Sequence, residues 1–254
     1  VSAPDTYAGL NYWLKADALS LSDNDPVASW ASSAVTSSVA MTQITAGKRA
    51  TFKADVWNHL PIVRFDGVDD EMQSTTQIGA MVANNLFTIV AVVAPQSGSS
   101  QASMWLNDCV FGDRIGFMGM FIKAGPVAWA FNWDGNSDTA GPLTISGPLP
   151  SVVMIRHQGG NLYCSVNNGP EVSAPSGNTG SLVGVLTIGK STSGSTDYLD
   201  ADVGEVCLYN NGFSDPADRT GLFEWLRDKW VASPSIHGSS LKSLVPSRTT
   251  ERSS

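Results

Sequence analysis

Apolar residues in this chain alternate with polar ones over short stretches, and glycine, asparagine or proline ends nearly every stretch. Leu10, Tyr12 and Leu14 alternate with Asn11, Trp13 and Lys15, which predicts a half-buried first strand. Residues 17–26 read as a loop and 27–30 as a short buried return; 35–53 are Ser/Thr-rich, with a weak strand signal at 41–45. Ile62 to Phe65 predicts a strand that Gly67 turns into 71–74. Residues 86–93 are continuously apolar and rich in β-branched side chains, as in a central strand covered on both faces. After a Gly/Ser loop at 96–101, strands are expected at 115–122, 127–131 and 152–156, with a Pro/Gly linker at 141–150. Gly159 and Gly160 predict a hairpin from 152–157 into 162–166; Asn167, Asn168 and Gly169 end it, and 182–190 supplies the next strand.

The strongest pattern lies near the end. In 201–209, Val203, Cys207 and Tyr209 take one parity and Val206 and Leu208 the other, so both faces should be buried. Asn210, Asn211 and Gly212 break this strand. Asp215 before Pro216 is a helix N-cap with proline at the first helical position, and Asp218 adds charge to the first turn. Leu222, Trp225, Leu226 and Trp230 follow at helical spacing, giving a short helix that must bury one face. From 233 to 254 the chain is polar, Ser-rich and without periodicity, so it cannot order itself by burying a core. Short strands in close succession with turn signals between them predict an antiparallel sandwich or jelly roll.

Three segments together resemble the laminin-G-like (concanavalin A-like) jelly-roll domains. They are residues 10–30, the Phe65–Asp66–Gly67 turn within 63–72, and the closing strand and helix with Glu205, Val206, Tyr209, Asn210, Lys229 and Trp230. The resemblance implies a two-sheet antiparallel jelly roll over residues 1–232, closed by one short helix, with 233–254 as an extended tail. It implies that the first and last strands pair, bringing Tyr12 near Val206 or Leu208. It also implies structural roles for Glu205, Tyr209, Trp225 and Trp230, with Glu205 a non-catalytic position. The family mixes adhesins, sugar binders, virion proteins and enzyme modules, so it leaves function open.

A single all-β domain fits the 254 residues and needs no disulfide or metal to hold its core. A net charge of −8 argues against nucleic acid and anionic membranes as partners. No apolar run approaches the ~18 residues of a membrane span, and no leader-like stretch opens the sequence. Cys109, Cys164 and Cys207 are too few for a disulfide framework. Cys164 and Cys207 sit in apolar strands and could bridge only if those strands are neighbours. Unpaired thiols fit folding in a reducing cytosol.

Candidate chemistry is sparse. Asp200, Asp202 and Glu205 resemble the Glu–x–Asp–x–x–Glu strand of laminarinase-type glucanases, but alternation puts Glu205 opposite the two aspartates unless a bulge intervenes. Asp134, Asn136 and Asp138 set three oxygen ligands at alternate positions, a candidate calcium loop; Asp69 with Asp70, and Asp23, Asn24 and Asp25, are rivals more simply read as turns. Trp129, Phe131 and Trp133 recur with period two, and Trp133 beside Asp134, Asn136 and Asp138 is a candidate sugar platform. Trp57, Trp105 and Tyr198 are lesser candidates. His59, His157 and His237 show no metal spacing and no nucleophile beside them. Arg64 and Arg156 are expected to balance Asp66 or Glu205 within the sheet, with Glu205 held by an arginine or by backbone amides.

These features predict a non-enzymatic, surface-displayed structural or recognition protein: a virion (phage) decoration, fibre or tail component made in host cytoplasm, with a glycan-binding role. The alternative is a secreted bacterial carbohydrate-binding or adhesion module at the cell surface; the distant one is a glucan hydrolase acting through Asp200, Asp202 and Glu205. Expected partners are other chains of an assembly, reached through the first residues and the 233–254 tail, and a cell-surface glycan. No cofactor is firmly expected; calcium is the candidate.

Overall fold

A computed structural model describes residues 2–35, 37, 39–77, 86–95, 119–123, 128–132, 139–144, 150–175, 185–190 and 198–231, with backbone alone from 119 to 144. The described part is mostly β, with antiparallel sheets and one α-helix. In chain order the strands are β1 (Leu10–Lys15), β2 (Ser29–Ala31), β3 (Ala40–Thr42), β4 (Thr51–Trp57) and β5 (Leu60–Asp66). Next come β6 (Met72–Gln77), β7 (Phe87–Pro95), β8 (Gly119–Lys123), β9 (Ala128–Asn132) and β10 (Thr139–Thr144). Last are β11 (Ser151–Gln158), β12 (Asn161–Val166), β13 (Val172–Pro175), β14 (Val185–Ile188) and β15 (Asp200–Tyr209), followed by helix α1 (Pro216–Trp230).

Eight strands form the main sheet, in the order β13-β12-β11-β7-β15-β5-β4, with β1 also pairing β15. A second sheet runs β14-β6-β3-β2, and β10-β9-β8 form a separate ladder. Strand β15 organises the main sheet because it serves three neighbours. One edge pairs with β7 along nearly its whole length. The other is shared, Asp200–Val203 with β5 and Glu205–Tyr209 with β1. The change of partner falls at Gly204, where the β7 register also shifts. Gly204 is needed there for room: a Cβ would lie 2.9 Å from the Trp230 ring. Tyr12 stands opposite Leu208, so the first and last strands do pair. Every residue from Ala201 to Tyr209 is buried, as the double-sided apolar pattern requires.

Helix α1 begins where the chain chemistry places it. Asp215 accepts a hydrogen bond from the Ala217 amide (2.8 Å), and Pro216 takes the position whose N–H would lack an intrahelical partner. Leu222, Phe223, Leu226 and Trp230 are buried, and Trp225 is half-buried with its ring 6.3 Å from that of Trp13. At its other end Asn58 donates to the Lys229 carbonyl (2.8 Å). This helix explains why Trp13, expected on the wet face of β1, is 93% shielded: the sheet's outer face carries a lid.

Three strands depart from expectation. β4 was hidden because Asp55, at φ +53°, interrupts its alternation and only Phe52 and Trp57 are buried. β10 occupies part of the expected 141–150 linker; it is the edge of its ladder and has a register shift between Ala140 and Thr144, where Gly141 and Pro142 are tolerated. β13 is a four-residue edge strand ending in proline. The Cys164–Cys207 bridge is also corrected. β11 and β7 stand between β12 and β15, so both thiols are free and buried. Among the described residues no helix is long and apolar enough to cross a membrane.

Candidate functional site

The Asn167–Asn168 turn carries the chain from β12 towards β13 through two left-handed residues (φ +52° and +59°), a conformation asparagine tolerates. It sets Asn168, Gly169 and Glu171 opposite the first turns of α1. Between them lies a cleft of about 250 Å³ lined by Ser165, Asn168, Gly169, Glu171, Pro216, Arg219, Thr220 and Phe223.

Its polar groups are held from behind. Arg156 grips Glu171 with two hydrogen bonds (2.7 and 2.8 Å), and also donates to Gln158 (2.8 Å) and the Gly212 carbonyl (3.3 Å). Its guanidinium lies 3.7 Å from the centre of the Tyr163 ring. Arg219 adds a second cation 3.6 Å from Glu171, while its Nη1 donates to the carbonyls of Phe213 (2.6 Å) and Ser214 (3.0 Å). Burial pushes the Glu171 carboxyl up, but the two guanidiniums outweigh it and hold the group below the usual carboxylate range. Glu171 is therefore an acceptor at neutral pH, not a proton donor. Ser165 is 99% buried and, among the described residues, its hydroxyl has no hydrogen-bond partner. The Thr220 hydroxyl donates to Asn168 Oδ1 (3.5 Å), which leaves the Asn168 NH2 as a donor and the Thr220 oxygen as an acceptor beside the apolar side chains of Phe223 and Pro216.

The Asp200, Asp202 and Glu205 set does not converge. Asp202 makes a two-pronged contact with Arg64 (2.7 and 2.8 Å), and Glu205 is turned towards the helix. The Glu205 side chain, fully shielded from solvent, accepts from the Trp13 indole, the Trp230 indole (2.6 Å) and the Lys229 ammonium (2.7 Å). Burial pushes its carboxyl up, with Lys229 and the indoles opposing. Its cation is thus a lysine, and the two arginines expected near it serve Asp202 and Glu171 instead. Tyr209 is buried and donates to the Pro4 carbonyl (3.0 Å).

The acidic turns are occupied by backbone. Asp70 accepts from the Asp66 amide (3.0 Å), and Asp66 from the amides of Val68 (2.8 Å) and Asp69 (3.4 Å). Carboxylate oxygens of these three lie within 4.8 Å of one another, a spacing that could hold a metal ion, and no cofactor is established. Asp23 and Asp25 likewise accept from backbone amides, those of Ala54 (3.0 Å) and Ser22 (2.8 Å). Trp133, Asp134, Asn136 and Asp138 lie outside the described residues, as do Trp105, Cys109 and the 233–254 tail. Trp57 is buried edge-on against Trp230, and Lys190 lies 5.1 Å over the half-buried Tyr198 ring. The cleft residues were not anticipated. Their one sequence signal was a polar side chain, Ser165, inside an apolar strand.

No family model matches the chain, and no curated protein matches it in sequence. Solved structures do match in fold. A Trypanosoma rangeli sialidase mutant displaying trans-sialidase activity superposes with a TM-score of 0.61 at 18% identity, over 90% of this chain and 34% of the sialidase. The same sialidase in complex with sialic acid gives 0.60 at 17% identity. Domain 4 of an extracellular arabinanase from Geobacillus stearothermophilus, in complex with arabinotriose, gives 0.61 at 13% identity, over 84% of this chain and 98% of that one. The chain thus spans about a third of the sialidases it matches and nearly all of the arabinanase domain. The expectation of a non-enzymatic protein is corrected on this finding: these structural neighbours are glycan-processing enzymes or parts of them.

Proposed function

We propose that this chain is a glycan-recognition domain of a glycan-processing protein, folded as a concanavalin A-like jelly roll over residues 1–232 with 233–254 as an extension. The observation that carries the proposal is the domain-for-domain correspondence with the arabinanase domain bound to arabinotriose, against one-third coverage of the sialidases. Such a unit accompanies catalytic machinery and holds its carbohydrate target close, raising the local substrate concentration. The polar cleft over an apolar floor is in keeping with this role. On this proposal the protein acts outside the cell, and its partner is a glycan. The virion placement gains no support from the fold matches.

The test is binding by the whole chain, read on a glycan array and then by titration calorimetry with arabinotriose and with sialyllactose. Saturable binding to at least one glycan is the expected result. An array without signal, on a chain shown to be folded, overturns the proposal.

A further inference from the structure

We infer that the cleft between α1 and β12 is a subsite for one uncharged sugar residue. The inference rests on the glycan-recognition proposal and adds the place and the chemical class. Ser165 lines the cleft, and its hydroxyl, enclosed just behind the wall, has no partner among the described residues. Buried hydroxyls are nearly always bonded, so a ligand group that bonds Ser165 would satisfy an existing deficit without further desolvating the serine. Around it the Glu171 carboxylate accepts, the Asn168 NH2 donates, and the Thr220 hydroxyl, which donates to Asn168 Oδ1 (3.5 Å), accepts. A sugar ring presents the matching pattern, hydroxyls that donate and accept at once around an apolar face, and Phe223 and Pro216 supply the surface for that face.

Charge decides the class. The strongest hold on a carboxylated sugar is a guanidinium fork with two free parallel N–H groups. Neither arginine has one. Arg156 is engaged by Glu171, Gln158 and Gly212, and Arg219 directs Nη1 to two backbone carbonyls and Nε towards Glu171. Glu171 itself, ionised at the cleft wall, repels an anion. Its size of about 250 Å³ suits one sugar residue, with the rest of the glycan in solvent.

The experiment uses the whole chain and three variants: Ser165→Ala removes the hydroxyl, Asn168→Gly removes the amide while keeping a φ of +59°, and Thr220→Trp fills the mouth from the helix surface. Arabinotriose and lactose serve as neutral probes and sialyllactose as the charged one. Expected are neutral-probe affinities reduced roughly five-fold by Ser165→Ala and abolished by Thr220→Trp, with unfolding midpoints preserved. Equal affinity of all folded variants for a glycan the wild type binds overturns the cleft and leaves the glycan proposal standing. Binding of sialyllactose alone, weakened by the variants, overturns the neutral class. Absence of any glycan binding removes both. If Thr220→Trp does not fold, Ser165→Ala, which only deletes an unbonded oxygen, decides alone.

Discussion

Replacing Glu205 with glutamine changes one atom in a side chain fully shielded from solvent, and three donors converge on it. Oε1 takes the Trp13 indole; Oε2 takes the Trp230 indole and the Lys229 ammonium. An amide has one acceptor oxygen, so in either orientation its NH2 points at an N–H. At least one buried donor then loses its partner, at a cost of about 1–3 kcal/mol. Lys229 also loses its buried countercharge; breaking such a pair costs about 3–5 kcal/mol when nothing replaces it. Here Asp17, 3.1 Å from the ammonium, remains as a partial substitute. Relief from burying a carboxylate offsets part of the total, since desolvation is what pushes the Glu205 carboxyl up. The net expected loss is about 2–4 kcal/mol, or a fall of roughly 5–15 °C in Tm for a domain of this size. Urea unfolding at pH 7, followed by tryptophan fluorescence and far-UV circular dichroism together, measures it. A loss below about 1 kcal/mol would show that the helix docks on apolar contacts alone and that the indole–carboxylate–ammonium knot holds nothing.

Gly204→Ala should cost about 1–3 kcal/mol, because its Cβ falls 2.9 Å from the Trp230 ring and the ring or the bulge must move; denaturant unfolding checks it, and a neutral result would place the bulge elsewhere. Asp215→Ala removes the acceptor of the Ala217 amide and should cost about 1 kcal/mol, read from the same transition. Asp70 gives a pH signature. Burial first, then the Asp66 charge, holds its carboxyl at about 6, so the folded chain keeps a proton that the unfolded chain releases near 4. Stability should therefore fall as pH rises from about 4 to about 6, by up to about 3 kcal/mol, and level off above. Asp70→Asn should flatten that part of the profile, and an unchanged slope would assign it to another group.

What could be read from the sequence, and what could not, divides along one physical line. β15 and α1 were legible because their signals are local: apolar residues on both parities, an Asp–Pro start, tryptophans at helical spacing. The pairing of β1 with β15 followed from resemblance, and the register put Tyr12 opposite Leu208. β4, β10 and β13 were not legible, since each is an edge strand broken by a bulge, a glycine or a proline, and edges bury too little to impose alternation. The identity of ion-pair partners was illegible for a different reason. Arg64 with Asp202 and Arg156 with Glu171 depend on which strands are neighbours and in what register, information carried by the sheet as a whole. The same applies to the cleft. Ser165 is an ordinary strand residue until β12 lies beneath α1; only then does its hydroxyl become a buried group lacking a partner. Carboxylates conspicuous in the sequence, Asp66, Asp70, Asp202 and Glu205, turn out to be engaged by amides, indoles or cations, and are thereby less available to a ligand. A polar group's function here is indicated less by its chemical type than by whether the fold has already satisfied it. On that criterion the inferred subsite is built on Ser165 and not on the aspartate clusters: of the buried hydroxyls without a partner among the described residues, those of Tyr12 and Ser165, Ser165 belongs to the cleft wall.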